Sequence, residues 1–293
     1  MQDVILVIVA FLLCLFILGT VAICIFLYPR VRFQNRPELT MDDYIAGGHK
    51  PEKVSFATSD GIPAVGLFYS ASSEKRPIII LLHGHAYHMG AYHKRIKRLL
   101  EEGWHVFSFD FRGCGESVHP FTTIGLKETS DVLGAIEYLK TRVDVDISQT
   151  VLWGGSMGAS VALRSLKLLD NVKAVIADSS YYDIFTVLGL RLKRKGAPKF
   201  MSHYFALGLN LLTGGNQWNN SAAKDIEGIT STPVLFIHGD KDVDIDVQDT
   251  IRLHKKYEGP KELLILKGHH HHDHEDVPGY LDKSINFLKK YLK

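Results

Sequence analysis

Cysteine is scarce in this sequence of 293 residues, and two of its three cysteines lie in one apolar stretch near the N-terminus. Cys14 and Cys24 belong to that stretch, and only Cys114 lies in the body of the chain. We therefore expect no set of disulfides of the kind that stabilises small secreted domains. This usage suits a reducing compartment. With 46% hydrophobic residues, a chain of this length buries a large core without disulfide bonds.

The sequence also lacks a charge excess of either sign. Its 34 basic and 32 acidic residues leave a formal charge of +2, and no basic stripe alternates with aromatic residues. We therefore expect no nucleic acid partner. Apart from a histidine run after Gly268 there is no low-complexity tract and no internal repeat, which favours an ordinary globular protein.

Charge is missing altogether from residues 4–27, which read VILVIVAFLLCLFILGTVAICIFL. As a helix rising about 1.5 Å per residue, this segment would measure roughly 36 Å, enough to cross a hydrocarbon core of about 30 Å. A cleaved signal peptide is the alternative, but the leader carries Asp3 and no Lys or Arg, and the run exceeds the usual length of about 7–15 residues without an A-x-A site. The sequence therefore predicts one transmembrane anchor over residues 1–28.

The residues after this segment predict its orientation. Tyr28 is an interfacial aromatic residue, Pro29 is a predicted helix stop, and Arg30, Arg32 and Arg36 follow. Because cytoplasmic flanks are enriched in Lys and Arg, these arginines predict a single-pass membrane protein with the body of the chain in the cytoplasm.

Residues 29–52 form a predicted linker, since they combine Pro, Gly and polar residues without periodicity. Over residues 53–293, apolar runs alternate with stretches of helical spacing. Eight runs are typical of strands: KVSFAT, AVGLFYS, PIIILLH, WHVFSFD, TVLWGG, VKAVIAD, TPVLFIHG and KELLILKG. Their apolar character predicts strands buried on both faces of a mostly parallel sheet, and the fold class is therefore α/β and doubly wound.

Helical spacing and one long insertion complete the predicted domain. Val132, Ile136, Leu139 and Val143 recur at intervals of four, three and four residues, which predicts a helix. Residues 179–232 separate two predicted strands, far more than the connections of about two to six residues usual in such folds. This length predicts a helical cap insertion at about 181–228, although an ordinary peripheral subdomain also fits. Contact between its apolar part and lipid stays open.

A glycine-rich motif lies where a buried strand gives way to a helix. Gly154-Gly155-Ser156-Met157-Gly158 matches G-x-S-x-G in the strand-turn-helix context that this motif requires. Small residues at 154 and 158 permit a sharp turn, which would expose the Ser156 hydroxyl and direct the N–H groups of the helix N-terminus at a reacting carbonyl. Ser156 is therefore the predicted nucleophile.

A serine hydroxyl is a poor nucleophile at neutral pH, so it needs a histidine base and an orienting carboxylate, in the chain order Ser, acid, His. Both follow late predicted strands. The run FIHGDKDVDID provides four aspartates, and the run KGHHHHDHED provides the imidazoles. Loops after the carboxyl ends of strands are where open α/β sheets bind ligands.

A second loop near the N-terminal side predicts an oxyanion hole. His83-Gly84-His85 follows a predicted strand, as does the loop that offers a backbone N–H to a developing oxyanion. The predicted donors are the N–H groups of His85 and Met157, each worth about 3 kcal/mol of transition-state stabilisation. We expect His83 to brace the loop by hydrogen bonding.

The segments HGH, DFRGCGES, GGSMG and HGDKD and the final histidine loop together resemble the α/β-hydrolase superfamily, notably its serine aminopeptidase-like branch. The resemblance covers about residues 54–292. It implies that the acid stands third after His-Gly, which selects Asp242 rather than Asp240. It also implies that residues 110–117 form a turn that braces the site.

The resemblance also selects the histidine. Relatives read G-x-x-H, followed after a few polar residues by Gly-Tyr at the last helix. Gly268 and Gly279-Tyr280 both select His271 on this pattern, with His270 as the alternative.

The histidine run also has a competing interpretation as a zinc or nickel site. Consecutive histidines in one loop point in different directions, and no separated ligand pair fixes a tetrahedron, so we expect no metal and no other cofactor. The candidate ligands are His269, His270, His271, His272, His274, Asp273, Glu275 and Asp276.

The predicted function is a membrane-anchored serine hydrolase that cleaves an ester, thioester or amide through a Ser156, Asp242 and His271 triad and an acyl-enzyme. The expected substrate is an acyl-containing small molecule, lipid or peptide. The alternatives are an acyltransferase with the same triad and a non-catalytic membrane-tethered scaffold. Removal of residues 1–28 is expected to leave a soluble, reactive domain.

Overall fold

The computed structural model describes residues 2–32, 39–170, 172–271 and 273–292, without the side chains of residues 2 and 3. Helices and strands alternate along the body of the chain. In chain order they are α1 (Gln2–Val31), β1 (Glu52–Ala57), β2 (Pro63–Tyr69), β3 (Arg76–Leu82), α2 (His93–Glu101), β4 (His105–Phe109), α3 (Glu128–Lys140), β5 (Val145–Gly155), α4 (Met157–Ser165), β6 (Val172–Asp178), α5 (Ile184–Arg194), α6 (Met201–Thr213), α7 (Ala222–Asp225), β7 (Val234–Gly239), α8 (Val247–Lys256), β8 (Lys261–Leu266) and α9 (Tyr280–Lys289).

The eight strands form one sheet in the order β1-β2-β4-β3-β5-β6-β7-β8. Strands β3 to β8 run parallel, whereas β1 pairs antiparallel with β2 and β2 antiparallel with β4. Each of the eight apolar runs forms one of these strands, so the prediction of a doubly wound, mostly parallel sheet is confirmed. The carboxyl ends of the parallel strands share one edge, where open α/β sheets bind ligands.

Apolar side chains cover both faces of the sheet in two separate layers. Val132 of α3 and Leu163 of α4 belong to the layer on one face, and Leu99 of α2 and Phe287 of α9 belong to the layer on the other. Two details differ from the sequence pattern. Leu263 is 39% exposed, because β8 is the last strand in the order of the sheet, and Val143 is exposed because α3 has already ended.

The long connection between β6 and β7 is helical. It contains α5, α6, a 3-10 turn over Gln217–Asn219 and the short α7. Asp183 caps α5, since its side chain accepts the Thr186 N–H, and Gly214 ends α6 in the left-handed conformation. These helices form the predicted cap insertion.

The N-terminal helix continues beyond the predicted stop at Pro29. α1 ends at Val31, and the Arg32 N–H still donates to the Tyr28 carbonyl oxygen at 2.9 Å. Proline lacks only its own N–H, so in the last turn of a helix it removes one hydrogen bond without ending the helix at once. The predicted helix stop is therefore wrong by two residues, and Arg36 lies outside the described residues.

The C-terminal half of α1 packs against the domain. Ile23, Leu27 and Val31 are each less than a tenth exposed and belong to the same apolar layer as α3 and α4. The Val31 carbonyl oxygen accepts the Thr122 N–H at 2.8 Å. The sequence predicted that residues 1–28 add nothing to the core of the domain, whereas in the structure the last turns of α1 are part of that core.

Candidate active site

Ser156 occupies the sharp turn between β5 and α4. Its backbone has φ 55° and ψ −119°, a strained conformation that a non-glycine residue adopts only when its surroundings impose it. The Ser156 N–H donates to the Asp178 carbonyl oxygen at 2.8 Å, which ties the turn to the end of β6. The G-x-S-x-G motif thus forms the strand-turn-helix geometry predicted for it.

The two outer glycines of this motif are required by close packing. A Cβ atom added at Gly158 would lie 2.1 Å from the Leu82 carbonyl oxygen at the end of β3. A Cβ atom added at Gly154 would lie 2.2 Å from the Gly158 carbonyl oxygen. Both contacts involve backbone atoms, so a larger residue would push α4 away from the sheet.

The loop after β3 lies directly against Ser156. A Cβ atom added at Gly84 would be 3.2 Å from the Ser156 Cβ, and the Tyr87 N–H donates to the Gly84 carbonyl oxygen at 3.1 Å. His85 lies within this turn, which Ala86 completes with a φ of 62°. Met157 begins α4, where helix N–H groups have no partner within the helix. The two predicted oxyanion donors therefore belong to backbone segments on either side of Ser156.

Buried side chains hold this loop in place. His83 donates from Nδ1 to the Gly84 carbonyl oxygen at 2.7 Å and accepts the Phe111 N–H at Nε2, 3.0 Å away, so its partners assign the tautomer. Asp110 accepts the Met89 N–H at 2.7 Å. His83 thus braces the loop, as expected.

The predicted turn over residues 110–117 has a structural role. The second oxygen of Asp110 accepts the Glu116 N–H at 2.7 Å. The Arg112 guanidinium donates to the carboxylates of Asp131 and Asp60 at distances from 2.6 to 2.8 Å. These bonds fix the turn, which Asp110 joins to the segment after His85 through the Met89 N–H.

Asp242 and His271 are paired. His271 Nδ1 lies 2.5 Å from Asp242 Oδ2, and His238 Nε2 lies 3.1 Å from the same oxygen. The other oxygen, Oδ1, accepts the N–H groups of Asp244 and Ile245 at 2.8 and 3.0 Å. Burial opposes the charge, but hydrogen bonds from His238 and His271 outweigh it and hold the pKa of Asp242 well below its usual value. The carboxylate is therefore ionised and oriented.

Asp240 binds the backbone of the histidine loop and not an imidazole. Its Oδ1 accepts the Gly268 N–H at 2.6 Å, and the Lys241 N–H donates to the His269 carbonyl oxygen at 2.9 Å. A Cβ atom added at Gly239 would lie 2.4 Å from that same carbonyl oxygen. The loop after β7 therefore binds the backbone of the histidine loop through Asp240 and Lys241, and the Asp242 side chain binds His271.

The other histidines of the run are arranged differently. His270 is exposed, and its N–H donates to Asp273 at 3.0 Å. His269 Nδ1 lies 3.3 Å from the other oxygen of Asp273, and His272 lies outside the described residues. Across the described parts of the chain, no three His, Cys, Asp or Glu side chains gather as a metal-binding group.

One pocket contains the serine and the histidine. Ser156, His271 and His85 line it together with Gly84, Asp178 and His274. Basic and acidic groups both reach its wall, among them Lys94, which is paired with Asp276. Asp244 and Arg191 line it on the side of the cap.

Sequence reasoning missed a second imidazole and carboxylate pair in this pocket. His274 Nδ1 lies 2.7 Å from Asp178 Oδ1, and the Tyr280 hydroxyl donates to Asp178 Oδ2 at 2.6 Å. Arg95 stacks over Trp153 and donates to the Tyr280 hydroxyl at 2.9 Å. The only signal in the sequence was an aspartate at the end of a strand, because the partner of Asp178 stands 96 residues later.

Electrostatic interactions between these two groups favour the ionised pair. Burial opposes charge on both, but the His274 imidazole and the Arg95 guanidinium keep the pKa of Asp178 below its usual value. The Asp178 carboxylate in turn raises the pKa of His274 above its usual value against the effect of burial. The interaction therefore favours the charged forms of Asp178 and His274, which line the pocket together with Ser156.

Comparison with known proteins places these features in a family. Residues 73–207 match the family model described as serine aminopeptidase, S33. The uncharacterized protein YfhR of Escherichia coli (strain K12) is 30% identical over 293 aligned positions, which cover 95% of this chain and 94% of YfhR. The thiohydrolase apmlB of Arthrinium phaeospermum is 35% identical over 129 residues, 43% of this chain and 42% of that protein.

A solved structure extends the likeness to the fold. The Pyrococcus furiosus esterase Pf2001 superimposes with a TM-score of 0.72 at 24% identity, covering 89% of this chain and 99% of the esterase. At that identity the likeness shows the fold alone. With the family match, the related sequence and the fold in agreement, the chain belongs to the α/β-hydrolase superfamily, in its serine aminopeptidase-like branch, and is a hydrolase.

Proposed function

We propose that this protein is a membrane-anchored serine hydrolase whose triad is Ser156, Asp242 and His271. One observation carries the proposal. Ser156 stands at a strained elbow in a pocket that His271 also lines, and the Nδ1 of His271 is bound to an ionised, buried Asp242. An oriented carboxylate fixes the tautomer of its histidine and leaves Nε2 as the base.

In the proposed reaction, His271 Nε2 takes the proton of the Ser156 hydroxyl while the serine oxygen attacks the carbonyl carbon of the substrate. The N–H groups of His85 and Met157 donate to the oxyanion that forms. His271 then protonates the departing alcohol, thiol or amine. A water molecule, deprotonated by His271, attacks the acyl-enzyme and releases the acid.

The proposed substrates are acyl esters and thioesters, with amides as a further class. A protein named an esterase shares the fold of this chain, and a protein named a thiohydrolase shares part of its sequence. These names favour bonds between an acyl group and oxygen or sulfur. Fold alone does not select a substrate. The apolar N-terminal helix favours a substrate with an acyl chain, either a lipid, an acylated peptide or a small molecule.

The same proposal makes α1 the membrane anchor. The segment Val4–Val31 contains an 18-residue window with a mean hydropathy of 3.2, and most of its apolar side chains are exposed. A helix of this length and composition is able to cross a bilayer. Arg30 and Arg32 at its C-terminal end favour a cytoplasmic location for the hydrolase domain.

Labelling with a fluorophosphonate tests the nucleophile. The probe is expected to modify the wild-type protein at Ser156 and to leave Ser156→Ala unlabelled, with peptide mass spectrometry identifying the site. Ser179→Ala is the matched control, because Ser179 lines the same pocket and also has a φ of 55°. Labelling that persists in Ser156→Ala, or that is lost in Ser179→Ala, contradicts the proposal.

Membrane fractionation of the full chain tests the anchor. The protein should remain with membranes after washing at high salt and at alkaline pH, and should be released only by detergent. Protease added to intact inverted and right-side-out vesicles then reports which side carries the domain. Release by salt alone would contradict the anchor.

A further inference from the structure

The cap helix α6 packs along α1 through a stripe of residues that faces the apolar helix. The Tyr204 hydroxyl donates to the Phe16 carbonyl oxygen at 2.5 Å and lies 2.7 Å from the Thr20 hydroxyl. A Cβ atom added at Gly208 would lie 2.7 Å from Ile23, so glycine lets the two helices approach closely. The buried turns of α1 are thus held directly against the cap.

The same stripe continues beyond this contact as an exposed apolar surface. Phe200 precedes Tyr204 by one helical turn and Leu211 follows Gly208 by three residues, so all four lie on one side of α6. Phe200 is 75% exposed and Leu211 is 63% exposed. We call Phe200 and Leu211 the outer cap face.

The length of α1 determines how deep this surface lies. A helix needs about 20 residues to cross a hydrocarbon core of about 30 Å. If the crossing begins at Val4, it ends at Ile23. Contact with α6 already begins at Phe16. Residues 4–15 alone would measure only roughly 18 Å, which is too short to cross. A bilayer that contains α1 must therefore also contain the part of α6 that packs on Phe16 and Thr20.

Two cationic groups of this region lie where such a bilayer would end. The guanidinium of Arg30 stacks on the Phe26 ring at 3.8 Å, and Lys195 Nζ lies 4.8 Å from the same ring. Arg30 is roughly 10 Å beyond Ile23 along the helix axis, at the level of the lipid headgroups. Cationic side chains at this level are attracted to anionic headgroups.

From these observations we infer that α1 and α6 enter the bilayer together and that the outer cap face contacts lipid acyl chains. The inference rests on the proposed membrane anchor and adds to it a second membrane-embedded element. It also locates the pocket, because His85 Nε2, on the pocket wall, lies 3.0 Å from the Arg30 carbonyl oxygen. The active site therefore opens at headgroup level, within reach of ester or thioester bonds of membrane-borne acyl chains.

Quenching of tryptophan by brominated lipid tests the outer cap face. The variants Phe200→Trp and Leu211→Trp, each in the full chain, are reconstituted in phosphatidylcholine vesicles with and without bromine on the acyl chains. Val143→Trp is the matched control, since Val143 is 93% exposed at the end of α3, away from the cap. We expect the added fluorescence to be quenched at least about twofold at 200 and 211 and to remain unchanged at 143.

A fourth variant separates this inference from the proposed anchor. Leu13→Trp places the reporter on the exposed part of α1. Quenching at 13 with none at 200 and 211 keeps the anchor and overturns the embedded cap. Absence of quenching at 13 overturns the anchor itself. A third outcome is a tryptophan at 200 or 211 that is shielded from water but not quenched by brominated lipid, in a protein whose molecular mass is that of a dimer. This result would assign the surface to a second copy of the chain and would also overturn the inference.

Activity gives an independent readout. Leu211→Asp is expected to lower the rate on an acyl ester presented in vesicles by about tenfold or more, with the rate on a short soluble ester unchanged. Leu168→Asp is the control, because Leu168 is 52% exposed on another helical turn. Equal rates on vesicles for the two aspartate variants would contradict a membrane role for Leu211.

Discussion

At the scale of single residues, the pocket contains two imidazole and carboxylate pairs that differ in their environment. Asp242 is held by His271 together with His238 and two backbone N–H groups, whereas Asp178 is held by His274 and Tyr280 with Arg95 nearby. The two imidazoles are almost equally buried, with 7% of the His271 side chain and 4% of the His274 side chain exposed. The carboxylates distinguish the pairs, because Asp178 is also bound by Tyr280 and faces Arg95 in a buried network. We therefore assign the proton transfer to His271 and a supporting role to His274.

This difference predicts that His271→Ala removes activity. Because serine, base and acid act as one unit, the acylation rate with an activated ester should fall by a factor of about 10³ or more, as for Ser156→Ala. His270→Ala is the matched control, an exposed neighbour bonded through its backbone to Asp273. An inactive His270→Ala beside an active His271→Ala would shift the base by one residue.

A second prediction concerns pH and the Asp178 and His274 pair. The lowered pKa of Asp178 contributes stability above its usual value of 3.8, and this is lost as pH falls through the folded pKa. The raised pKa of His274 contributes stability below its usual value of 6.5, and this is lost as pH rises through the folded pKa. The pair should therefore stabilise the fold most between about pH 4 and 6.5.

Denaturant titration of the detergent-solubilised protein measures this effect. The loss of unfolding free energy in His274→Gln, relative to wild type, should be larger at pH 5.5 than at pH 8.5. His269→Gln serves as control, since His269 is a half-buried imidazole beside Asp273. A loss that is the same at both pH values would assign His274 to packing alone.

At the scale of elements, the elbow depends on how closely α4 approaches β3. Gly158→Ala puts a Cβ atom 2.1 Å from the Leu82 carbonyl oxygen, and neither the helix nor the strand is able to move without breaking other contacts. Overpacking of this kind typically costs about 1–3 kcal/mol. We expect a lower melting temperature and a lower rate of fluorophosphonate labelling, because Ser156 would be displaced with α4.

Gly189→Ala is the matched control for that prediction. Gly189 also lies within a helix, α5, and a Cβ atom there meets nothing nearer than Lys199 at 3.9 Å. Its melting temperature should be unchanged or slightly raised, because alanine favours the helix more than glycine does. A normal labelling rate in Gly158→Ala would show that the elbow tolerates the added methyl group.

At the scale of the whole molecule, α1 belongs partly to the membrane-spanning segment and partly to the folded domain. Ile23 and Leu27 lie in the core layer and cover Gly208 of the cap. This arrangement changes the expectation drawn from the sequence, in which residues 1–28 were separable from the domain. Their removal would expose the face of α6 that the helix covers.

Two truncations test this division. Removal of residues 1–15 should leave the melting temperature in detergent nearly unchanged, because residues 4–15 are all exposed and add little buried apolar surface. Removal of residues 1–28 should lower the melting temperature by several degrees and promote aggregation without detergent. Equal melting temperatures for the two truncations would show that α1 adds no stability to the cap.

Local patterns in the sequence were enough to predict the strands of the domain and the candidate nucleophile. Apolar runs identified all eight strands because strands buried on both faces leave a local signature. Ser156 followed from a motif whose geometry is local, since a turn after a strand constrains its own few residues. Asp242 and His271 were selected by the resemblance to the α/β-hydrolase superfamily, through their spacing from His-Gly and from the flanking glycines.

Contacts between distant segments were not predictable from the sequence. The pairing of Asp178 with His274 joins residues 96 positions apart, and the packing of Phe16 on Tyr204 joins residues 188 apart. Such contacts leave no periodic trace, because each partner fits its own local pattern equally well without the other. For the same reason the sequence placed the end of α1 at Pro29, whereas burial of Val31 against the core carries the helix two residues further.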